Sequence, residues 1–202
     1  MLIDREPMLR LGIVGISIGG NVLLKWLGEL GDRARIAAAV AISTPFDLEA
    51  GARAISRGFS RIYDRNFLRT LRQKALRKLD SYPDLFDRDA LMRASSVIEF
   101  DDAVTAPVHG FADAHDYYQR SSSLGFLGRV RVPTLLLSAQ DDPFLPAHVL
   151  DRVRAVASAN AHLTLEFTER GGHVGFVAGT LPWKPRYYAE TRAVEFLRHA
   201  GG

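Results

Sequence analysis

Residues 9–31 read LRLGIVGISIGGNVLLKWLGELG, and this stretch decides the fold of the chain. The run from Leu9 to Gly15 is short, apolar and rich in residues that favour strands, and Gly19 and Gly20 follow it closely. Apolar residues then recur at helical spacing until Gly31. The pattern predicts a buried strand, a sharp turn and a helix.

The rest of the chain alternates in the same way between strands and helices. Two apolar runs without alternation, Ile36–Ser43 and Leu135–Ala139, are typical of parallel strands covered on both faces. A last strand is predicted at Leu163–Phe167, and helices at Pro146–Ala157 and Arg186–His199. This alternation predicts an α/β fold with a mostly parallel sheet.

The segment between Asp47 and Ser123 has a different pattern. It contains no strand-like run, and helical periodicity dominates it. We interpret it as a helical cap inserted between two strands of the sheet. Residues 1–46 and 124–202 would then form the core, and residues 47–123 the cap.

The predicted cap is strongly basic. Seven arginines and two lysines lie between Arg53 and Lys78 against one acid, Asp64, which gives this stretch a net charge of +8. A spacing of four predicts one stripe of arginines along a helix, with apolar residues on the opposite, buried side. The arginines are Arg53, Arg57, Arg61, Arg65 and Arg69, and the apolar residues are Ile55, Phe59, Ile62, Tyr63 and Phe67. The stripe predicts a solvated face or, alternatively, a peripheral membrane contact with anionic lipid headgroups.

Composition excludes several classes of protein. The chain has 202 residues, a net charge of +3 and 47% hydrophobic residues, as expected of a globular protein rather than a disordered one. The small net charge does not favour a nucleic-acid partner. The absence of cysteine excludes disulfides, Cys-ligated zinc and a thiol nucleophile, and it is consistent with a cytoplasmic protein. The apolar stretch Leu11–Leu24 is too short to span a bilayer, and no signal-peptide cleavage site follows it.

The sequence GISIG at residues 15–19 matches the pattern G-x-S-x-G. A predicted strand precedes it and a predicted helix follows it, which is the setting of a nucleophile elbow. Such a turn would lift the Ser17 hydroxyl clear of the sheet, and side chains at Gly15 or Gly19 would collide. The backbone N–H of Ile18 could then bind a developing oxyanion. A glycine-rich turn without chemistry, or one that binds phosphate, is the alternative.

A nucleophilic serine needs a base and an acid that orients the base. Asp142 follows the strand that ends at Ala139, and we choose it over Asp141, which is expected to cap the turn or face solvent. His173 is the candidate base, because it follows the last strand in a loop with two glycines. The order serine, acid, histidine is that of α/β-hydrolases.

Four segments together resemble the YheT-like esterase branch of the α/β-hydrolase superfamily, and the resemblance extends from Leu9 to the end of the chain. The segments are GISIGGNVLLKWLGE, EFDDAVTAPVHGFADAHDYY, VPTLLLSAQDDPFLP and GGHVGF. The resemblance implies that Ser17 is the nucleophile, Asp142 the acid and His173 the base of an acyl-ester hydrolase without metal or organic cofactor. Phe111, Tyr117 and Tyr118 lie within the second segment. We expect them to bind the substrate at its entrance, because a cap inserted before the acid strand would lie over the nucleophile, although each such residue is more often simply part of a helical core.

The chain departs from this family before the elbow. The resemblance implies well over a hundred residues before the nucleophile, whereas this chain has sixteen. We therefore expect a partial α/β-hydrolase fold with its strands five to eight, from an N-terminally truncated protein. The first strand would be left as an unpaired apolar edge, through which the chain could self-associate. Catalysis would be weak, because one oxyanion donor would be absent.

Three functions remain compatible with the sequence. The leading hypothesis is a serine ester hydrolase of carboxylesterase or lipase type that acts on a small-molecule acyl ester. A second is a non-catalytic remnant or binding module that keeps the triad by descent. A third is acyl transfer to an acceptor other than water, which uses the same chemistry.

Overall fold

The computed structural model describes residues 10–178 and 186–200. The strands are β1 (Gly12–Ile16), β2 (Ala38–Ile42), β3 (Thr134–Ala139), β4 (Leu163–Thr168), β5 (Val177–Ala178) and β6 (Arg186–Tyr187). The α-helices are α1 (Ile18–Leu30), α2 (Leu48–Ile55), α3 (Arg61–Ser81), α4 (Arg88–Arg93), α5 (Val97–Phe100), α6 (Ala106–His109), α7 (Ala114–Ser121), α8 (Ala147–Ala157) and α9 (Tyr188–Ala200). Shorter 3-10 segments occupy Gly31–Arg33, Gly58–Ser60 and Ser123–Arg129, and a π-helical turn occupies Asp101–Thr105.

Strands β1 to β4 form one parallel sheet in the order β1-β2-β3-β4. In its register Gly12 lies opposite Ala38, and Leu137 lies between Ile42 and Glu166. The predicted α/β architecture is therefore confirmed. Since the strands are parallel, their carboxyl ends meet at one edge of the sheet, where ligand and catalytic sites of open α/β sheets are found.

The two central strands hold the core. Every residue of β2 and β3 is buried, as their uninterrupted apolar sequences predict. On one face of the sheet, side chains from these strands pack against helix α9 and against Phe176 in the loop before β5. The cluster consists of Val40, Ile42, Leu135, Leu137, Ala139, Phe176, Ala189 and Ala193.

Strand β1 lies at the edge of the sheet. It pairs with β2 on one side, and no described strand pairs with its other side. Val14 and Ile16 are 43% and 49% exposed. The predicted apolar edge is thus present in the described residues, whereas Leu9, the predicted first residue of the strand, lies outside them.

Contacts divide the chain into two compact units, one within Met1–Phe46 and Ser122–Gly202 and the other Asp47–Ser121. The second unit is helical, and its larger core is formed by α3, α4, α5 and the π-helical turn. The buried members of that core are Leu68, Ala75, Leu79, Phe86, Leu91, Ala94, Phe100 and Val104. The placement of this unit as a cap over the sheet stays a prediction.

The predicted arginine stripe is wrong in two respects. Helix α2 ends at Ile55 and α3 begins at Arg61, so the five arginines do not share one helix. Ile62, Tyr63 and Phe67 were predicted to be buried, but they are 62%, 52% and 46% exposed. Contacts with α4 and α5 bury a different side of α3, which contains Leu68, Ala75 and Leu79. The side chain of Phe59 lies outside the described part of the structure.

The last helix begins later than predicted. Arg186 and Tyr187 form β6, which pairs antiparallel with β5, and α9 follows from Tyr188. Among the described helices, none is both long enough and apolar enough to cross a membrane.

Candidate active site

Ser17 lies in the turn between β1 and α1 with φ 51° and ψ −123°, a backbone conformation that non-glycine residues rarely adopt. The turn is tight because Gly15 and Gly20 lack side chains. A Cβ at Gly15 would lie 2.6 Å from the carbonyl oxygen of Gly19, and a Cβ at Gly20 would overlap the hydroxyl of Thr44. The predicted collision at Gly19 is wrong, since a Cβ there meets nothing within 4 Å in the described structure.

Ser17, His173 and Asp142 form a chain of hydrogen bonds. Ser17 Oγ lies 3.0 Å from His173 Nε2, and His173 Nδ1 lies 2.8 Å from Asp142 Oδ2. Because a carboxylate only accepts, the consistent tautomer has Nδ1–H donating to Asp142 and Nε2 accepting from the Ser17 hydroxyl. In this arrangement the imidazole can remove the serine proton while the carboxylate fixes its orientation.

Hydrogen bonding and burial fix the carboxylate of Asp142 beside the imidazole of His173. Its side chain is fully buried, and Oδ1 accepts a hydrogen bond of 2.9 Å from the backbone N–H of Phe144. The Phe144 ring packs on the imidazole of His173, with ring centroids 4.4 Å apart. One carboxylate oxygen is thus bonded to the backbone while the other orients the histidine.

Backbone strain is concentrated at this site. The four non-glycine residues with positive φ in the described chain are Ser17, Ser43, Val174 and Phe176. Ser17 is in the elbow, Ser43 follows β2, and Val174 and Phe176 follow His173. Residues in such conformations cluster at functional sites.

Two side chains that the sequence did not reveal bind the loop around His173. Asp141 is exposed, as expected, and its Oδ1 also accepts hydrogen bonds from the backbone N–H groups of Gly171 and Gly172. The hydroxyl of Ser43 accepts a hydrogen bond from Val174 N–H. The one available signal for Asp141 was its position beside Asp142.

Ile18 is the first residue of α1, so its N–H has no acceptor within the helix. It lies at the positive end of the helix dipole, directly after Ser17. An oxyanion that forms on a carbonyl group attacked by Ser17 Oγ would lie near this end of the helix.

The three predicted substrate residues lie together in the helical unit. The rings of Phe111 and Tyr117 have centroids 5.3 Å apart, and those of Tyr117 and Tyr118 are 5.2 Å apart. Tyr118 is buried and donates a hydrogen bond of 2.6 Å to Asp101, and burial raises the pKa of both groups. Their contact with a substrate stays a prediction.

No group of metal-ligating side chains is found among the described residues. The family model for the alpha/beta hydrolase fold matches residues 10–180. The chain belongs to the α/β-hydrolase-fold family. Within this family it is 40% identical to YheT of Escherichia coli (strain K12) over 186 residues, which cover 91% of the chain and 54% of YheT. The resemblance to the YheT-like branch is thereby confirmed.

The chain is also similar to other members of the family. It is 32% identical to phospholipase ABHD3 of Mus musculus, over 86% of the chain and 42% of ABHD3. Its fold resembles that of the Pyrococcus furiosus esterase with a TM-score of 0.53 at 17% identity, over 100% of the chain and 58% of that esterase. The chain spans about half the length of the curated relatives that it matches.

Proposed function

We propose that Ser17, His173 and Asp142 are the catalytic triad of a serine ester hydrolase. The observation that carries the proposal is the unbroken chain of hydrogen bonds from Ser17 Oγ through His173 to Asp142, at a strained strand–helix turn. Membership of a hydrolase-fold family and similarity to a phospholipase support the same class of reaction.

The reaction would proceed through an acyl-enzyme. His173 Nε2 removes the Ser17 proton as Oγ attacks the ester carbonyl carbon, and the N–H of Ile18 binds the resulting oxyanion. The bond to the alcohol oxygen then breaks, and His173 returns its proton to that oxygen. Water attacks the acyl-enzyme, His173 takes the water proton, and Ser17 is reprotonated as the acid leaves. Asp142 stabilises the imidazolium in both halves of the reaction.

Labelling with a fluorophosphonate tests this proposal, because the probe bonds covalently to an activated serine. The purified chain, Ser17→Ala and the surface control Ser158→Ala would be compared by intact mass. We expect one adduct on the wild type and on Ser158→Ala, and none on Ser17→Ala. A folded wild-type chain without an adduct would instead favour the non-catalytic binding module.

Acyl transfer differs from hydrolysis only in the acceptor. Product analysis in water with added short-chain alcohol would separate the two reactions. We expect the free acid to be the main product, and an ester as the main product would assign acyl transfer.

We further propose that Phe111 and Tyr117 contact the apolar part of the substrate, with Tyr118 supporting them. Phe111→Ala should raise KM for long-chain esters and leave the rate of labelling by a small phosphonate unchanged. A matched substitution at the exposed Tyr82, Tyr82→Ala, serves as the control. Equal KM values for Phe111→Ala and the wild type would remove Phe111 from the binding site.

We also propose that the start of helix α3 contacts anionic lipid. Exposed arginines alternate there with the exposed apolar residues Ile62 and Phe67. The one acid in this turn, Asp64, is buried and accepts hydrogen bonds from Ser56 Oγ and Val97 N–H, so its charge is directed inward. An exposed surface with cationic and apolar side chains is suited to a lipid headgroup layer.

Vesicle cosedimentation tests the lipid contact. Replacing Arg61, Arg65 and Arg69 by serine should weaken binding to phosphatidylserine vesicles about 100-fold, since each arginine contributes about 1 kcal/mol. Replacing Arg33, Arg131 and Arg154 by serine is the matched control. Equal binding of the wild type to neutral and anionic vesicles would contradict the proposal.

Self-association through β1 is a separate proposal. Leu11 C=O and Ser17 N–H bond toward β2, so the alternate groups at Gly12, Val14 and Ile16 face outward. Such an edge can pair with another strand. Light scattering should show a dimer or larger species that Val14→Lys converts to monomer, and a monomeric wild type would contradict this.

A further inference from the structure

The loop that carries His173 is held on both sides of the histidine by side chains outside the triad. Asp141 Oδ1 accepts hydrogen bonds of 2.9 Å and 2.8 Å from the N–H groups of Gly171 and Gly172. On the other side, Ser43 Oγ accepts a hydrogen bond of 3.2 Å from the N–H of Val174. The amides before and after His173 are therefore fixed to the ends of β3 and β2.

The loop around His173 has a strained backbone. Gly172, Val174 and Phe176 have φ values of 60°, 67° and 38°. Gly171 is confined as well, since a Cβ there would lie 2.7 Å from the Phe176 ring and 2.9 Å from Ala139 Cβ. Strained conformations persist only where surrounding contacts over-determine them.

Asp141 is exposed, and it accepts two of the hydrogen bonds that support the loop. A carboxylate that accepts from N–H makes a charge-assisted hydrogen bond, which is about twice as strong as a neutral one. Two consecutive amides share the same oxygen, so this single side chain fixes the direction of the chain as it enters His173. Ser43 is buried and offers one neutral hydroxyl, which accepts a single hydrogen bond.

Asp141 and Asp142 hold two different parts of the chain at His173. Asp142 bonds to the imidazole of His173, and Asp141 bonds to the backbone that precedes it. The turn that contains both aspartates is attached to the sheet through Gln140 N–H, which donates to Thr168 C=O of β4. One short turn thus fixes both the ring and the main chain of the base.

We propose that Asp141 is a positioning residue for His173, with Ser43 as a second support, and that it acts by fixing the loop rather than by touching the substrate. The proposal rests on the proposed function of His173 as the base. Asp141 itself takes no part in proton transfer.

The test compares Asp141→Ala, Asp141→Asn and Ser43→Ala with the wild type. Asp141→Asn keeps an Oδ1 acceptor without the charge, so it separates loss of the hydrogen bonds from loss of the carboxylate. Asp151→Asn is the control, because Asp151 is exposed and pairs with Arg154 on the surface. Thermal melts establish that each variant is folded.

The first readout is saturation kinetics of fluorophosphonate labelling at Ser17. We expect Asp141→Ala to lower the maximal labelling rate about 10- to 100-fold without changing the probe concentration that gives half of that rate, since small misplacements of catalytic groups have effects of this size. Asp141→Asn should recover most of the rate, and Asp151→Asn should match the wild type. A residue that only stabilised the fold would change the labelled fraction, not this rate.

The second readout does not depend on reactivity. Amide hydrogen exchange at Gly171 and Gly172 should be faster in Asp141→Ala than in the wild type, and slow again in Asp141→Asn. An unreactive wild type would end the proposed function, and exchange would then decide the loop-holding role alone. Unchanged exchange, or an unchanged labelling rate in a reactive Asp141→Ala, overturns the inference.

Discussion

Gly15 and Gly20 are in backbone contact across the turn that holds Ser17: a Cβ on Gly15 would lie 2.8 Å from the Cα of Gly20. The strand and the helix approach so closely that neither position has room for a methyl group. Gly19, between them in sequence, faces open space in the described structure.

We therefore expect Gly15→Ala and Gly20→Ala to lower the free energy of unfolding by about 1–3 kcal/mol, the usual cost of overpacking. Gly19→Ala is the matched control. It should be neutral or stabilising by up to about 1 kcal/mol, because alanine has a higher helix propensity than glycine. Urea denaturation measures all three, and a destabilising Gly19→Ala would contradict this view of the elbow.

Asp142→Asn should reduce esterase activity about 10⁴-fold, the loss known for an asparagine in place of a triad aspartate. The amide can donate to Nδ1 and so stabilises the wrong tautomer of His173. Hydrolysis of a chromogenic short-chain ester measures the effect. Asp151→Asn should retain full activity, and an active Asp142→Asn would show that the acid lies elsewhere.

The rate of Ser17 labelling should fall once the solution is acidic enough to protonate the base, because a histidine accepts a proton only in its neutral form. A protonated base cannot accept the Ser17 proton, so activity is present on the alkaline side of this transition and lost on the acid side. Phosphonate labelling followed from pH 4 to pH 9 measures the profile. A rate that is flat down to pH 4 would exclude a histidine base.

Asp101 should make the stability of the helical unit depend on pH. Burial raises its pKa above the usual value, so the folded state binds this proton more tightly than the unfolded state does. The resulting stabilisation is complete below the unfolded pKa of about 3.9 and is lost as pH rises through the folded pKa. In melts from pH 3 to pH 8, Asp101→Asn should remove this dependence, while Asp80→Asn at an exposed site should keep it.

The sequence predicted the parts of the fold that depend on local pattern. The runs that became β2 and β3 are continuous and apolar because both faces are covered, and G-x-S-x-G marked the elbow. Periodicity was less informative for α3, because Ile62 and Phe67 are apolar yet exposed. A hydrophobic pattern reports which residues could be buried, and packing decides which of them are.

Predicting the candidate site needed the order of residues along the chain in addition to local pattern. Order along the chain and position after strands were enough to select Ser17, Asp142 and His173, which the structure brings together. Ser43 and Asp141 were missed because their hydrogen bonds reach backbone amides 131 and about 30 residues away. Backbone amides carry no residue-specific signal, so no spacing in the sequence points to such a bond.

The site extends across the whole sheet, since Ser17 follows the edge strand β1 and His173 follows β4 at the other edge. Three strand spacings, roughly 14 Å, separate those strands, and every ladder between them must be in register for the two side chains to meet. A slip of one residue in any ladder would displace one partner by about 3.3 Å and reverse its facing. Labelling of Ser17 therefore reports correct strand pairing throughout the sheet. Molecules with misaligned strands in a preparation would not react with the fluorophosphonate probe, and the unlabelled fraction would measure them.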